Sequence, residues 1–158
     1  MKNFNLANKR RERIFRYAPL ILWIALIFYL SGGQASMPQT SRFIRPLLEF
    51  LFPNAAEETL ISYHAYIRKF AHFFVYAVLA FWSWRALKNS SHLVLQKFRY
   101  IFALLIVFLV AAIDETNQSF NAARTGSIYD VALDFIGGLT VIFLIYLTTK
   151  LKSRHDQI

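Results

Sequence analysis

The chain has 158 residues, 56% of them hydrophobic and 17% aromatic, a formal net charge of +9 and no cysteine. That apolar share exceeds the roughly 45–50% of ordinary soluble domains, and the lack of cysteine excludes disulfides and thiolate metal sites. In a soluble protein the charge would point to nucleic acid; here the basic residues crowd the flanks of apolar runs, which fits lipid headgroups and topology signals, so the lipid bilayer is the expected partner and nucleic acid is not.

The length fits a single unit, 1–158. It opens on a basic tail with Lys2, Lys9, Arg10, Arg11, Arg13 and Arg16 against Glu12. This reads as a topogenic tail rather than a separate surface helix. Tyr17 to Leu30 is the first apolar run. It falls short of the ~20 residues needed to cross a ~30 Å hydrocarbon core, and Ile14, Phe15 and a snorkelling Arg16 extend it. A basic start before a short apolar run also describes a signal peptide. The aromatics Tyr17, Trp23 and Tyr29 favour an uncleaved span.

Ser31 to Ser41, SGGQASMPQTS, reads as a turn-rich loop. Arg42 to Phe52 is amphipathic, with Phe43, Leu47, Leu48 and Leu51 near helical spacing and Arg42, Arg45 and Glu49 between them. Too short and too charged to span, it is expected in the interface or dipping into it, with Pro46 starting or kinking it. Asn54 with Glu57 three residues on suggests a capping box. The helix that follows is expected from Ala55 into a second span. A basic connector with Arg85, Lys88, Lys97 and Arg99 leads to a third span that ends on Asp114–Glu115, and a fourth starts at Ile128. The predicted spans are about 15–31, 67–86, 99–115 and 128–149. The fold class is therefore an all-α membrane protein: four transmembrane helices, with an interfacial or re-entrant helix between the first two.

The N-terminal tail, the connector and the C-terminal tail carry 13 of the 18 Lys and Arg residues. By the positive-inside rule both termini are expected in the cytoplasm, in the bacterial cytoplasmic membrane. The start of span two, the end of span three and the start of span four then share the outer side, and the notable polar residues sit there. Arg68, His72 and Tyr76 are spaced i, i+4, i+8 on one face, bordered by Lys69. Asp114, Glu115 and Gln118 end the third span. Arg124 follows, and Ser127, Asp130, Asp134 and Gly138 form a stripe on the fourth. Asp134 lies roughly 10 Å deeper than Ser127. A carboxylate at that depth has to face protein, water or a cation, or else be protonated. Gly137–Gly138 would let another helix or a ligand approach the backbone.

Three readings of this constellation compete. It is a network that ties three helices together. Or it is a pocket in which Arg and Lys take an anionic group such as phosphate while carboxylates and Gln take hydroxyls or amines. Or it is catalytic, with His72 or Glu115 as general base and Asp134 as the acid. His and carboxylates suit a divalent cation, yet no tight motif such as HExxH occurs, so no metal and no other cofactor is expected. An ion-coupled transporter using Asp134 is disfavoured by four short spans without inverted repeats. His64 and His92 read as surface or interface positions.

These residues carry a resemblance. IRKFAHFFVYAVLAF (67–81), followed after a span by DETNQSFNAARTGSIYDVALDFIGG (114–138), resembles the VanZ-like family of small bacterial membrane proteins. That family typically shows R-K-x-x-H-x-x-x-Y, then D-E-x-x-Q, an Arg, and D-x-x-x-D/N-x-x-G. The matching positions are Arg68, Lys69, His72 and Tyr76; Asp114, Glu115 and Gln118; Arg124; and Asp130, Asp134 and Gly137. Departures are Val75, where many relatives carry an acid, Asn117, where many have His, and Ala122–Ala123, where many have Pro-Gly. The founding member is associated with resistance to the lipid-tailed glycopeptide teicoplanin. The resemblance implies a cell-envelope role: binding a lipid-linked or lipoglycopeptide amphiphile through Arg68, Lys69, His72, Tyr76, Asp114, Glu115, Gln118, Arg124, Ser127, Asp130, Asp134 and Gly137. The alternative is an intramembrane enzyme on a lipid-linked substrate.

Overall fold

The structure, a computed structural model, describes residues 2–34, 36–120 and 127–155, with backbone alone for 2–10 and 34. It contains six α-helices and no strand among the described residues: α1 (Lys2–Tyr29), α2 (Met37–Leu51), α3 (Glu57–Lys88), α4 (Leu93–Lys97), α5 (Arg99–Ser119) and α6 (Ile128–His155). Four of them are long and apolar enough to cross a membrane: α1, carried through the wide turn that follows it to Gly33, and α3, α5 and α6.

The basic N-terminal stretch is not a separate surface helix. It continues the first apolar run in one helix, since residues 2–18 contain no Gly or Pro and are rich in straight-chain helix formers. Pro19 lies inside α1 and supplies no N–H to the carbonyl four residues back, that of Phe15. Arg85 on α3 donates its Nη1 to that same carbonyl at 3.4 Å. The proline therefore opens an acceptor that ties α1 to α3. A wide helical turn, Leu30–Gln34, ends the run where Gly33 takes φ 109°, a conformation open to glycine.

The expected loop 31–41 is shorter than predicted, because α2 already starts at Met37 with Pro38 in its first turn, where a missing N–H costs nothing. The helix continues through Pro46. Leu48 is its buried contact with the protein, while Phe43, Leu47 and Phe50 point away. That outward apolar face fits a helix lying in the interface. The expected capping box does not form. Ala56 occupies the cap position of α3 without a side-chain cap, and Glu57 turns instead to Arg45 at 2.7 Å. Arg45 also pairs with Glu49 at 2.7 Å. The hydrogen bond to Glu49 and the charge of Glu57 push the Arg45 pKa above its ordinary value. His64 is not a surface residue. It is buried between α2 and α3, its ring nitrogens 2.9 Å from the Thr40 hydroxyl and 3.2 Å from that of Ser41.

α3 is the hub, packing on α1, α2, α5 and α6, most extensively on α6. The core combines Leu20, Ile27, Tyr76, Leu79, Val107 and Ile142 with small residues Ala80, Ala86, Ala103 and Ala111. Small residues let helix backbones approach, which is where packing energy comes from in lipid. Gly137 and Gly138 are the tightest case. A Cβ at 137 would collide with the carbonyl oxygen of Phe73 on α3, and one at 138 would lie 2.8 Å from Val107 Cγ1 on α5. Of the two partners weighed for this pair, helix or ligand, it is helices that come close. α1 is peripheral: 11% of its most apolar stretch is buried in the protein, against 39% for α3.

Candidate functional site

The last turns of α5 aim acids in two directions. Asp114 and Glu115 are neighbours in sequence, so about 100° separates them on the helix, and both are buried. Asp114 faces α3, where Tyr76 donates its hydroxyl to Oδ2 at 2.9 Å. Gln118, one turn on, donates Nε2 to the same oxygen at 2.9 Å. Glu115 faces α6. Its Oε2 accepts the backbone N–H of Ser127 at 3.0 Å, at a helix N-terminus where a carboxylate is favoured. Ser127 in turn accepts the Tyr129 N–H on its hydroxyl at 3.2 Å, a cap in the usual sense.

The third acid comes from α6. Asp134 has no exposed surface, and neither of its oxygens has a hydrogen-bond partner. His72 Nδ1 lies 3.4 Å from Asp134 Oδ1, at ion-pair distance but without hydrogen-bond geometry. Asp114 Oδ1 and Glu115 Oε1 are likewise buried and unpartnered. One donor atom from each of His72, Asp114, Glu115 and Asp134 lies within 4.8 Å of the others. Such a nitrogen-and-oxygen set is the kind that holds a divalent cation.

The predicted residues separate into groups. His72, Tyr76, Asp114, Glu115, Gln118 and Asp134 converge, and Ser127 joins through its backbone. Arg68 and Asp130 are half-buried at the rim; Arg68 is within electrostatic reach of Asp130 and Glu115 but pairs directly with neither. Lys69 is exposed and makes no ion pair among the described residues. Gly137 serves helix packing. Arg124 lies outside the described residues. Among the described residues the ion pairs are Arg45–Glu49, Arg45–Glu57 and His72–Asp134.

Sequence reasoning missed two participants. Asn117 donates Nδ2 to the buried hydroxyl of Ser31 at 3.1 Å, pinning the turn after α1 against the cluster. No local spacing links residues 86 positions apart. Val75 contributes through its backbone, its carbonyl accepting Trp23 Nε1 at 2.9 Å.

Two cavities flank the cluster. One of about 120 Å³ lies between α1, α3 and α5, against Ser31, His72, Tyr76, Asp114 and Gln118. The other is an open groove of about 890 Å³ between α5 and α6. Ile101, Leu104, Phe108, Val131 and Phe135 line it, with Glu115 and Ser127 at one end.

A family model described as VanZ/LLP1 matches residues 16–149. Comparison with curated proteins and with solved structures gives no match.

Proposed function

The chain belongs to the VanZ/LLP1 family, and from that premise we propose that it is a multi-pass protein of the bacterial cytoplasmic membrane, both termini in the cytoplasm, that binds an amphiphile and contributes protection against teicoplanin-type lipoglycopeptides or similar envelope stress. The observation that carries this reading is the α5–α6 groove. It is apolar along its length and ends on Glu115 and Ser127, beside the buried acids. A lipid tail fits the first part by burial of apolar surface. An amine or hydroxyl of a headgroup suits the carboxylate end through charge-assisted hydrogen bonds. Arg68 at the rim suits a phosphate.

The test is a photoreactive, acyl-tailed teicoplanin analogue applied to the protein in nanodiscs. Crosslinks concentrated at Phe108 and Phe135, and lost in Ala112→Trp, support the reading. Teicoplanin susceptibility unchanged by both deletion and overexpression, together with diffuse crosslinking, sinks it. Orientation is tested with a single introduced cysteine, since the chain has none. One at Asn54 should label from outside and one at Lys97 should not; the reverse would move the site to the cytoplasm.

The second reading is an intramembrane enzyme acting on a lipid-linked substrate, with His72, Glu115 and Asp134 as acid and base groups. The His72–Asp134 approach at 3.4 Å favours it, because a carboxylate orients an imidazole for proton transfer. Recovery of a chemically altered lipid or antibiotic only with His72 and Glu115 intact would select it over simple binding.

A further inference from the structure

Three acids and one imidazole converge in the bundle, and their hydrogen bonding is incomplete in one direction. Asp114 has one oxygen satisfied by Tyr76 and Gln118 and the other free of partners. Glu115 has one oxygen satisfied by the Ser127 N–H and the other free. Both oxygens of Asp134 and Nδ1 of His72 have no hydrogen-bond partner. The three acids are each at most 5% exposed. Buried polar atoms are normally hydrogen-bonded, and like charges held together away from water repel strongly. One donor atom from each of the four residues falls within 4.8 Å of the rest, and each residue carries at least one buried atom without a hydrogen-bond partner.

We propose that His72, Asp114, Glu115 and Asp134 together bind one divalent cation of the first transition row, of the Mn²⁺ or Zn²⁺ type. The donor set is one imidazole nitrogen and three carboxylates, which suits these ions better than a purely oxygen-seeking Ca²⁺. Donors about 2.1 Å from an ion lie up to about 4.2 Å apart across it. Neighbouring donors in such a shell lie roughly 3.0–3.4 Å apart, so the present spread closes with side-chain shifts of up to about an ångström. The other bonds at the cluster take the supporting role that metal sites need. Tyr76 and Gln118 fix the Asp114 carboxylate, and the α6 N-terminus fixes Glu115, leaving the inward oxygens free. The cation also supplies what the rim does not, because neither Arg68 nor Lys69 pairs with these acids. The small cavity beside His72 and Asp114 leaves room for water to complete the coordination. The proposal does not depend on an amphiphile in the α5–α6 groove.

The test uses the full chain purified in detergent without chelator. Elemental analysis should find about one equivalent of metal, and after stripping, Mn²⁺ or Zn²⁺ should raise the melting temperature by roughly 5–10 °C near hundredfold saturation. Asp134→Asn and Glu115→Gln keep the shape and should weaken Mn²⁺ binding at least about tenfold. If these variants fold poorly, pulsed electron paramagnetic resonance on bound Mn²⁺ decides. A nitrogen modulation present in the parent and in His92→Gln, and lost in His72→Gln, supports the site. No melting shift at millimolar metal overturns it, as does Mn²⁺ bound without nitrogen modulation, or bound equally well by folded Asp134→Asn. Ala112→Trp, which fills the groove, should leave metal binding unchanged, so failure of the amphiphile reading and failure of this one are told apart.

Discussion

At the end of the bundle where α1 begins and α6 finishes, cations rest on aromatic faces near the surface, whereas at the other end three carboxylates are buried. Arg85 sits over Trp82 at 5.3 Å, Lys88 over Trp84 at 5.0 Å, Arg99 over Tyr100 at 4.7 Å and Lys150 over Tyr146 at 5.9 Å. Neutral hydroxyls complete that end: Tyr17 donates to Ser90 at 3.2 Å and Arg16 to Ser91 at 3.0 Å. The difference lies in side-chain length. Lys and Arg have stems that reach from an apolar backbone position to a polar rim. Asp and Glu do not, so an acid on an inward face stays inward and has to be matched there. One end settles its charges by reaching outward, and the other collects them around a shared space.

Several substitutions would break or sharpen this contrast. The largest effect is expected at Gly137, where a side chain meets the Phe73 backbone. Gly137→Val should destabilise by about 3 kcal/mol, the upper range for overpacking, read as loss of folded protein in mixed-micelle unfolding. If it folds normally, the close α3–α6 approach is wrong. Next is Tyr76→Phe, which removes the buried donor to Asp114 and should cost about 1.5–3 kcal/mol in the same assay. Arg85→Ala removes both the stacking on Trp82 and the bond to the Phe15 carbonyl. About 1 kcal/mol is expected, and a loss above about 2 kcal/mol would erase the distinction between the two ends. In metal-free protein Asp134→Asn should cost less than about 1 kcal/mol or stabilise slightly, because loss of the His72 pair is offset by relief of the repulsion from Asp114 and Glu115. A large loss there would mean that the acid is structural cement. Arg45→Ala breaks two exposed pairs and should give no resolvable change at high salt, where surface pairs are screened.

Much of this was legible from the chain. The apolar runs and their basic flanks gave four long helices, and the helical period placed His72 and Tyr76 on one face. The period also put Arg68 there, but a face says nothing about how far it stays inside. Arg68 ends half-buried at the rim. Lys69, which borders that face in the helical pattern, lies on the outside of α3. The Asn54 cap failed because Glu57 had a better partner in Arg45, a residue that enters only through the packing of α2 on α3. Asn117, noted as a departure from the family pattern, proved to hold Ser31, a contact between residues far apart in the chain.

The sequence by itself determined the class of fold, the helix ends at which charge gathers, and the helix face that His72 and Tyr76 share. These depend on local quantities: run length, residue size and a period of 3.6. Only the tertiary structure decided which oxygens of Asp114 and Glu115 are satisfied, that Asp134 meets His72, and that Gly137 and Gly138 bring α6 onto α3 and α5. Those facts depend on where three separate helices cross, and helix crossings are set by side chains interlocking across sequence distances that no local pattern encodes.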